Sequence, residues 1–404
     1  MQTELADFIR DTPEGREAEA ILRKCVHCGF CTATCPTYQI LGDDLDGPRG
    51  RIYLIKRALE GGPVTGSTRL HLDRCLTCRA CETTCPSGVQ YGRLADIGRA
   101  VVEARTERPF ADRALRRMLA YVLPNQALFG TLLALGRAFR AFLPQKLKAK
   151  VLPKREEGAW PAPRHARRML VLQGCVQPEL APSINAAAAR VLDRLGISLV
   201  EAPGAGCCGA LRFHLNYQDD GRDDMRRVID AWWPSVERGE VEAIVVTASG
   251  CGATVKDYGH LLAEDPAYRE KAARIAAMAK DLAEVIPADA LPAGKGRGAV
   301  AFQSPCTLQH GLRIRGSVEG VLAKAGYTLA PVADAHLCCG SAGTYSILQP
   351  ALSTELRTRK LASLQAGMPK AIATANIGCL AHLQGGTTTP VRHWIELLDE
   401  ALAP

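Results

Sequence analysis

Before residue 168 the apolar positions recur with helical spacing. Ala18, Ile21 and Leu22 share one face of 16–24, and Ile52, Ile55 and Leu59 share one face of 49–60. Asp46-Gly47-Pro48 and Gly61-Gly62-Pro63 bracket the second of these helices. Further helices are predicted over 92–105 and 110–123, and no clear strand appears in this part. From Arg168 the texture changes, and short apolar runs alternate with longer amphipathic stretches. Strands are predicted at 169–173, 197–201 and 243–247, with helices at 183–195 and 221–239. The order then recurs, with strands at 298–303, 327–332 and 371–375 and helices at 316–325 and 350–366. Such alternation predicts parallel sheets with helices on both faces.

The recurrence is an internal repeat of about 130 residues. In the first copy Cys175, Cys207-Cys208-Gly209 and Cys251 each follow a strand; in the second, Cys306, Cys338-Cys339-Gly340 and Cys379 take the same places. Thirty-one residues lie between Cys175 and Cys207, and thirty-one between Cys306 and Cys338. Every one of these cysteines thus falls at the carboxyl end of a predicted parallel strand, where open α/β sheets build ligand sites. Four cysteines at one sheet edge read as an iron–sulfur centre, a structural zinc site, or a set of redox-active thiols. In the second copy His336 precedes the pair by two residues, and His382, three after Cys379, is either a further ligand or an ordinary surface histidine. The two copies are therefore expected to differ. Cys306, Cys338, Cys339, Cys379 and His382 would form the redox-active centre, and Cys175, Cys207, Cys208 and Cys251 a structural or vacant site.

Upstream, the chain carries a second duplicated pattern. Cys25-Val-His-Cys28-Gly-Phe-Cys31-Thr-Ala-Thr-Cys35-Pro36 and Cys75-Leu-Thr-Cys78-Arg-Ala-Cys81-Glu-Thr-Thr-Cys85-Pro86 both read C-x-x-C-x-x-C-x-x-x-C-P. This is the bacterial ferredoxin run, in which three thiolates wrap one [4Fe-4S] cubane and the fourth serves the other cluster. Zinc sites pair two ligands with two distant ones and need no fourth Cys before Pro. Cys25, Cys28, Cys31 and Cys85 are assigned to one cluster, and Cys75, Cys78, Cys81 and Cys35 to the other.

Composition narrows the setting. A chain of 404 residues, 47% hydrophobic and 23% charged, reads as an ordinary globular protein of about two to three domains. All sixteen cysteines fall into the ordered groups above. The acidic start Met1-Gln-Thr-Glu-Leu-Ala-Asp7 lacks the apolar core of a secretory signal. A reducing, cytoplasmic setting is expected, with the cysteines as metal ligands. The net charge is +8, and residues 103–169 hold fifteen Lys or Arg against five acidic residues. This segment includes the apolar run 128–135 and then Arg137, Arg140, Lys146, Lys148 and Lys150. It reads as a helical linker, or as an interfacial helix on the inner face of an anionic membrane, or as a docking face for a partner. Nothing resembling a nucleic-acid reading motif accompanies the charge. Gly294-Lys-Gly-Arg-Gly298 precedes a strand instead of following one, so no dinucleotide turn is present.

The spacing of Cys175 and Cys306 to their cysteine pairs resembles the cysteine-rich CCG family, whose members include subunits of heterodisulfide reductase and of lactate- and glycolate-oxidising complexes. Preceded by a two-cluster ferredoxin part, the chain is similar to the iron–sulfur subunits of glycolate oxidases. The strings 336–345, 374–379 and Gly47-Pro-Arg-Gly-Arg-Ile52 carry that likeness. Members with five-cysteine centres end each motif in C-x-x-C, whereas this chain has Thr254 after Cys251 and His382 after Cys379. The resemblance implies an α+β multidomain chain: a mostly helical two-cluster ferredoxin domain over 1–105 and a basic helical linker over 106–167. Two repeated α/β, parallel-sheet CCG domains over 168–292 and 293–404 complete it. It implies two [4Fe-4S] clusters and a further iron–sulfur or zinc centre in the CCG domains. It also implies an electron-transfer role with no substrate-oxidising site of its own. FAD-containing glycolate oxidase subunits would be its donors, and a quinone or another acceptor its outlet. The alternative is a lactate-oxidising or heterodisulfide reductase-like subunit with thiol chemistry of its own.

Overall fold

A computed structural model describes residues 1–142, 144, 151, 153 and 155–403. The chain packs as two compact units. One comprises Met1–Arg117 with His336–Leu356, and the other Met118–Ala335 with Arg357–Pro404.

The first unit is helical. Thr12 caps the helix Pro13–Lys24 by accepting from the Gly15 N–H, and Pro13 opens it where no backbone donor is needed. Helices Pro48–Leu59 and Tyr91–Arg105 lie where the apolar spacing puts them. Their inward faces meet in a core where Leu22, Ile55, Leu59 and Leu94 are fully buried. Each such side chain contributes roughly 1.5–3 kcal/mol. The segment 336–356, part of the second repeat by sequence, packs in this unit. Tyr345 is buried there, and its hydroxyl donates to the Arg74 carbonyl at 3.1 Å. Ser353 Oγ donates to the Gly340 carbonyl at 2.7 Å and closes the segment on itself.

The second unit holds two four-stranded parallel sheets. The first orders β1 (Arg167–Val171), β2 (Ile197–Glu201), β3 (Ala243–Val246) and β4 (Ala279–Asp281) as β2-β1-β3-β4. The second orders β5 (Ala299–Gln303), β6 (Thr328–Ala330), β7 (Ala371–Thr374) and β8 (Val391–His393) as β6-β5-β7-β8. In both, the chain runs outward from the first strand and then returns to its other side. The direction therefore switches between β1 and β3, and between β5 and β7, where such sheets open a crevice. β4 and β8 were not foreseen from sequence. Each is three residues long and carries a charged residue, Lys280 or Arg392, so neither makes an apolar run.

The two sheets are tied together within this unit. The Ser249 N–H donates to the Ala375 carbonyl at 3.1 Å, and the ring of His393 on β8 meets the Thr247 carbonyl at 2.9 Å. The helix Trp394–Ala401 lies along Ser183–Arg194, where Asp399 pairs with Arg190 and Arg194 at 2.8 Å each. Lys146, Lys148 and Lys150 fall outside the described residues.

Candidate metal centres

The two ferredoxin runs fold alike. In each, the residue before the second Cys and the residue after it are left-handed: His27 and Gly29 at φ 59° and 87°, Thr77 and Arg79 at φ 51° and 58°. Three of these four are not glycine, and such strain persists only where surrounding structure imposes it. It curls each loop about its own cysteines, and the Thr77 N–H donates to the Cys75 sulfur at 3.4 Å. The closing Cys-Pro has its own logic. Proline forces the preceding residue to be extended, and Cys35 and Cys85 have ψ of 113° and 116°. Pro36 then opens the helix Pro36–Leu41, which carries the chain away.

The sulfurs gather in two crossed sets. Burial and the neighbouring Cys25, Cys85 and Cys28 push the Cys31 thiol up to about 11. Burial, Cys78 and Cys75, with Glu82 and Cys35, push Cys81 well above its ordinary value. Each set thus holds three cysteines of one run and the fourth of the other. Four like-charged thiolates in one place repel, and a cationic iron–sulfur core relieves that repulsion, so the donor set fits the group. A cleft of about 450 Å³, counting its open mouth, is lined by Cys25, Cys28, Cys31, Cys85 and Tyr91, with Cys81 of the other set also at its wall. Cys28 is exposed, whereas Cys25 and Cys81 are buried.

Around the set of Cys35, Cys75, Cys78 and Cys81 lies a charged network that sequence reading missed. Arg51 and Asp46 are each 1% exposed. The Arg51 guanidinium donates to the His71 carbonyl at 2.7 Å and the Thr37 hydroxyl at 3.1 Å, and reaches the Cys35 sulfur at 4.0 Å. Asp46 is shared between Arg51 at 3.5 Å and Arg74 at 2.8 Å. Arg99 donates to the Cys75 carbonyl at 2.7 Å and to Thr77 Oγ1 at 2.9 Å, and the Tyr91 hydroxyl donates to the Cys75 sulfur at 3.6 Å. Burial pushes the Cys75 thiol up, but Arg51, Arg99 and these hydrogen bonds outweigh it and hold the thiol below its ordinary value. The available signal was Arg51 itself, two residues after Arg49 on a helix face otherwise apolar.

In the first repeat the structure brings all four cysteines together. The thiols lie near enough to shift one another: Cys175 with Cys207, Cys207 with Cys208, and Cys208 with Cys251. Hydrogen bonds from Cys175, Cys208 and the Gly209 N–H, with the Arg212 charge, pull Cys207 well below its ordinary value. Cys175 and Cys208 are pushed well above theirs by the same contacts. Arg212 pairs with the buried Asp224 at 2.8 Å, and the Tyr258 hydroxyl donates to the Cys208 carbonyl at 2.9 Å. The glycine of the motif has a physical reason. Gly209 is left-handed at φ 84°, and a Cβ there would stand 2.4 Å from the Gly221 carbonyl oxygen. Gly340 repeats this at φ 88°, with a Cβ 2.6 Å from the Ser353 oxygen.

In the second repeat Cys306 follows β5, and Cys379 lies in the first turn of the helix Ile377–Gln384, where Asn376 Nδ2 donates to its sulfur at 3.6 Å. Both belong to the second unit and follow neighbouring strands, β5 and β7, at the sheet's switch point. Cys338 and Cys339 are buried in the first unit, and the Gly340 N–H donates to the Cys338 sulfur at 3.4 Å. His382 is half-buried, one turn after Cys379, and Arg357 donates to its carbonyl at 3.4 Å. None of the sixteen cysteines is in a disulfide.

Residues 21–89 match the 4Fe-4S dicluster domain family, and 169–256 and 300–384 match the cysteine-rich domain family. The chain is 54% identical over 406 residues to the glycolate oxidase iron-sulfur subunit of Escherichia coli (strain K12), covering 100% of this chain and 99% of the relative. It is 30% identical over 405 residues to the probable glycolate oxidase iron-sulfur subunit of Bacillus subtilis (strain 168), covering 92% and 90%. A lactate utilization protein A of Exiguobacterium sp. (strain ATCC BAA-1283 / AT1b) is 26% identical over 238 residues, 56% of this chain and 95% of that protein.

Proposed function

The chain belongs to the glycolate oxidase iron–sulfur subunit family, and on that premise we propose that it takes electrons from a flavin-containing partner oxidising a 2-hydroxy acid and delivers them to a quinone or another acceptor. It is the iron–sulfur electron-transfer subunit of an oxidoreductase complex. Two [4Fe-4S] clusters would be held by Cys25, Cys28, Cys31 and Cys85, and by Cys75, Cys78, Cys81 and Cys35. The observation that supports this most is the crossed gathering of sulfurs, three from one run and one from the other in each set. A bound cubane supplies one-electron uptake and release. The protein's own residues hold it by thiolates, exclude water with the core around Leu22 and Ile55, and set the local charge with Arg51 and Arg99. In the second repeat, Cys306, Cys338, Cys339, Cys379 and His382 would form a further redox centre.

Anaerobic mixing tests the main reading. Glycolate should bleach the clusters only when the flavoprotein partner is present. Bleaching of the isolated subunit by glycolate alone would overturn it.

A second reading, disulfide reduction at a cysteine pair, is favoured by one observation: the Cys207 thiol is held low by two neighbouring thiols, a backbone N–H and Arg212. Reduction of a disulfide by the isolated, reduced subunit would establish it.

The setting we propose is the cytoplasmic face of a membrane. On the helix Gln126–Ala138 and the turn after it, Leu132, Leu135, Phe139 and Phe142 are exposed at a three-four-three spacing that forms one stripe, with Arg137 and Arg140 beside it. Among the described residues no single helix is long and apolar enough to cross a membrane. Binding to anionic vesicles should be reversed by salt; binding that only detergent reverses would contradict it.

A further inference from the structure

The two cysteine sets are duplicates in sequence but not in electrostatic surroundings. Around Cys35, Cys75, Cys78 and Cys81 stand three guanidinium groups, Arg51, Arg74 and Arg99, against two carboxylates, Asp46 and Glu82. Arg51 is 1% exposed, so water does not screen it. At the lower effective dielectric of such a site, a charge acts roughly four times more strongly than in bulk water. Hydrogen bonds reach the Cys75 sulfur from the Thr77 N–H and the Tyr91 hydroxyl. Around Cys25, Cys28, Cys31 and Cys85 the nearby guanidinium is Arg49, half-exposed and neutralised by Asp44 at 2.9 Å. Among the described residues no side chain donates a hydrogen bond to those four sulfurs.

Reduction adds a negative charge, so a buried cation and hydrogen bonds to sulfur stabilise the reduced form. Exposure of Cys28 pulls the other way for its own set, but water at one sulfur is a weaker, screened influence than a dry guanidinium near contact. We propose that Arg51, supported by Arg99, makes the Cys35, Cys75, Cys78 and Cys81 set the higher-potential one, so that an electron entering this unit comes to rest there. This rests on reading both sets as cubane sites. The exchange is a single electron: the lower-potential centre is oxidised by one and the other reduced by one, with no bond made and no proton moved. The flavin of the partner is the source. The electron then rests beside the segment 336–356, whose Tyr345 hydroxyl is bonded to the carbonyl of Arg74, the residue before Cys75. Arg51 acts here as a positioning residue for charge, not a ligand.

The test is an EPR-monitored redox titration of the anaerobic, full-length holoprotein. Substoichiometric dithionite should first produce the signal that Cys78→Ser alters and Cys28→Ser leaves unchanged. Arg51→Gln should make that cluster at least tenfold harder to reduce at a fixed potential, a 59 mV downward shift for one electron, and Arg51→Lys should shift it less. Should Arg51→Gln fail to load clusters, Arg99→Gln, a half-buried change, should shift the same signal downward. Appearance of the Cys28-sensitive signal first, or no shift in any of these variants, would overturn the inference while leaving the two-cluster reading intact. Metal analysis without cubane clusters would instead overturn that reading.

Discussion

His393 should make the sheet-bearing unit acid-sensitive. The side chain is fully buried where β8 meets the first sheet. Its Nε2 faces the Thr247 carbonyl at 2.9 Å, and Nδ1 accepts from the Ile395 N–H at 3.3 Å, which fixes the neutral ring with its proton on Nε2. Burial lowers its pKa from 6.5 to about 4; Glu396 opposes that fall and Arg155 adds to it. A lowered pKa means the unfolded chain takes up the proton first. The stability due to His393 is therefore complete above pH 6.5 and is lost as pH falls towards 4. At 1.36 kcal/mol per unit the whole loss is about 3 kcal/mol, of which about 2 falls between pH 7 and pH 5. Glu396, held low mainly by Ser183 and Arg155 against its burial, adds its own loss only below 4.5, outside that window. Asp281, which burial raises to about 7, works in the opposite sense, so the comparison must be a difference. Urea unfolding followed by circular dichroism, at pH 7 and pH 5 under anaerobic conditions, should show wild type losing about 2 kcal/mol more than His393→Gln. Equal losses in the two proteins would refute the reasoning.

The remaining predictions concern the cysteine sites. Cys35→Ser should damage the cluster of Cys75, Cys78 and Cys81 and spare the one beside it in sequence; EPR of the reduced protein reads this, and loss of the nearer signal would contradict it. Gly209→Ala must place a Cβ 2.4 Å from the Gly221 oxygen at a left-handed backbone, and should cost about 2–4 kcal/mol in urea unfolding. A neutral result would mean that the motif's glycine has another purpose. In the assembled complex Cys339→Ser should abolish electron transfer from flavin to acceptor, whereas Cys208→Ser should mainly lower yield. Equal loss of turnover with intact assembly would remove the distinction between repeats.

The elements that carry cysteines were the most legible in sequence, because each follows an apolar strand or sits in a run with fixed spacing. The strand of Ile197–Glu201, which leads to Cys207-Cys208, was readable for that reason, and the helix of Pro48–Leu59 was readable to within a residue from its apolar face of Ile52, Ile55 and Leu59. β4 and β8 were not, since Ala279-Lys-Asp281 and Val391-Arg-His393 gain their place from pairing with β3 and β7 and not from local pattern. The packing of 336–356 with the helical unit was equally hidden, because it depends on Tyr345 meeting a carbonyl 271 residues away. Arg51 defeated the usual rule that arginine faces water. Its burial is compensated by Asp46, Thr37 and the His71 carbonyl, partners spread over three elements. Cys207 and Cys208 were placed at a strand end by spacing, but their proximity to Cys175 and Cys251 required the sheet order.

We propose that two crossed cubane clusters carry electrons through this chain. Iron and acid-labile sulfide should be measured per chain on anaerobically purified protein, together with the EPR spectrum after full reduction. At least about eight iron and eight sulfide, with two interacting [4Fe-4S] signals, are predicted. Zinc in place of iron, or iron for a single cluster that Cys35→Ser and Cys85→Ser both leave intact, would contradict it.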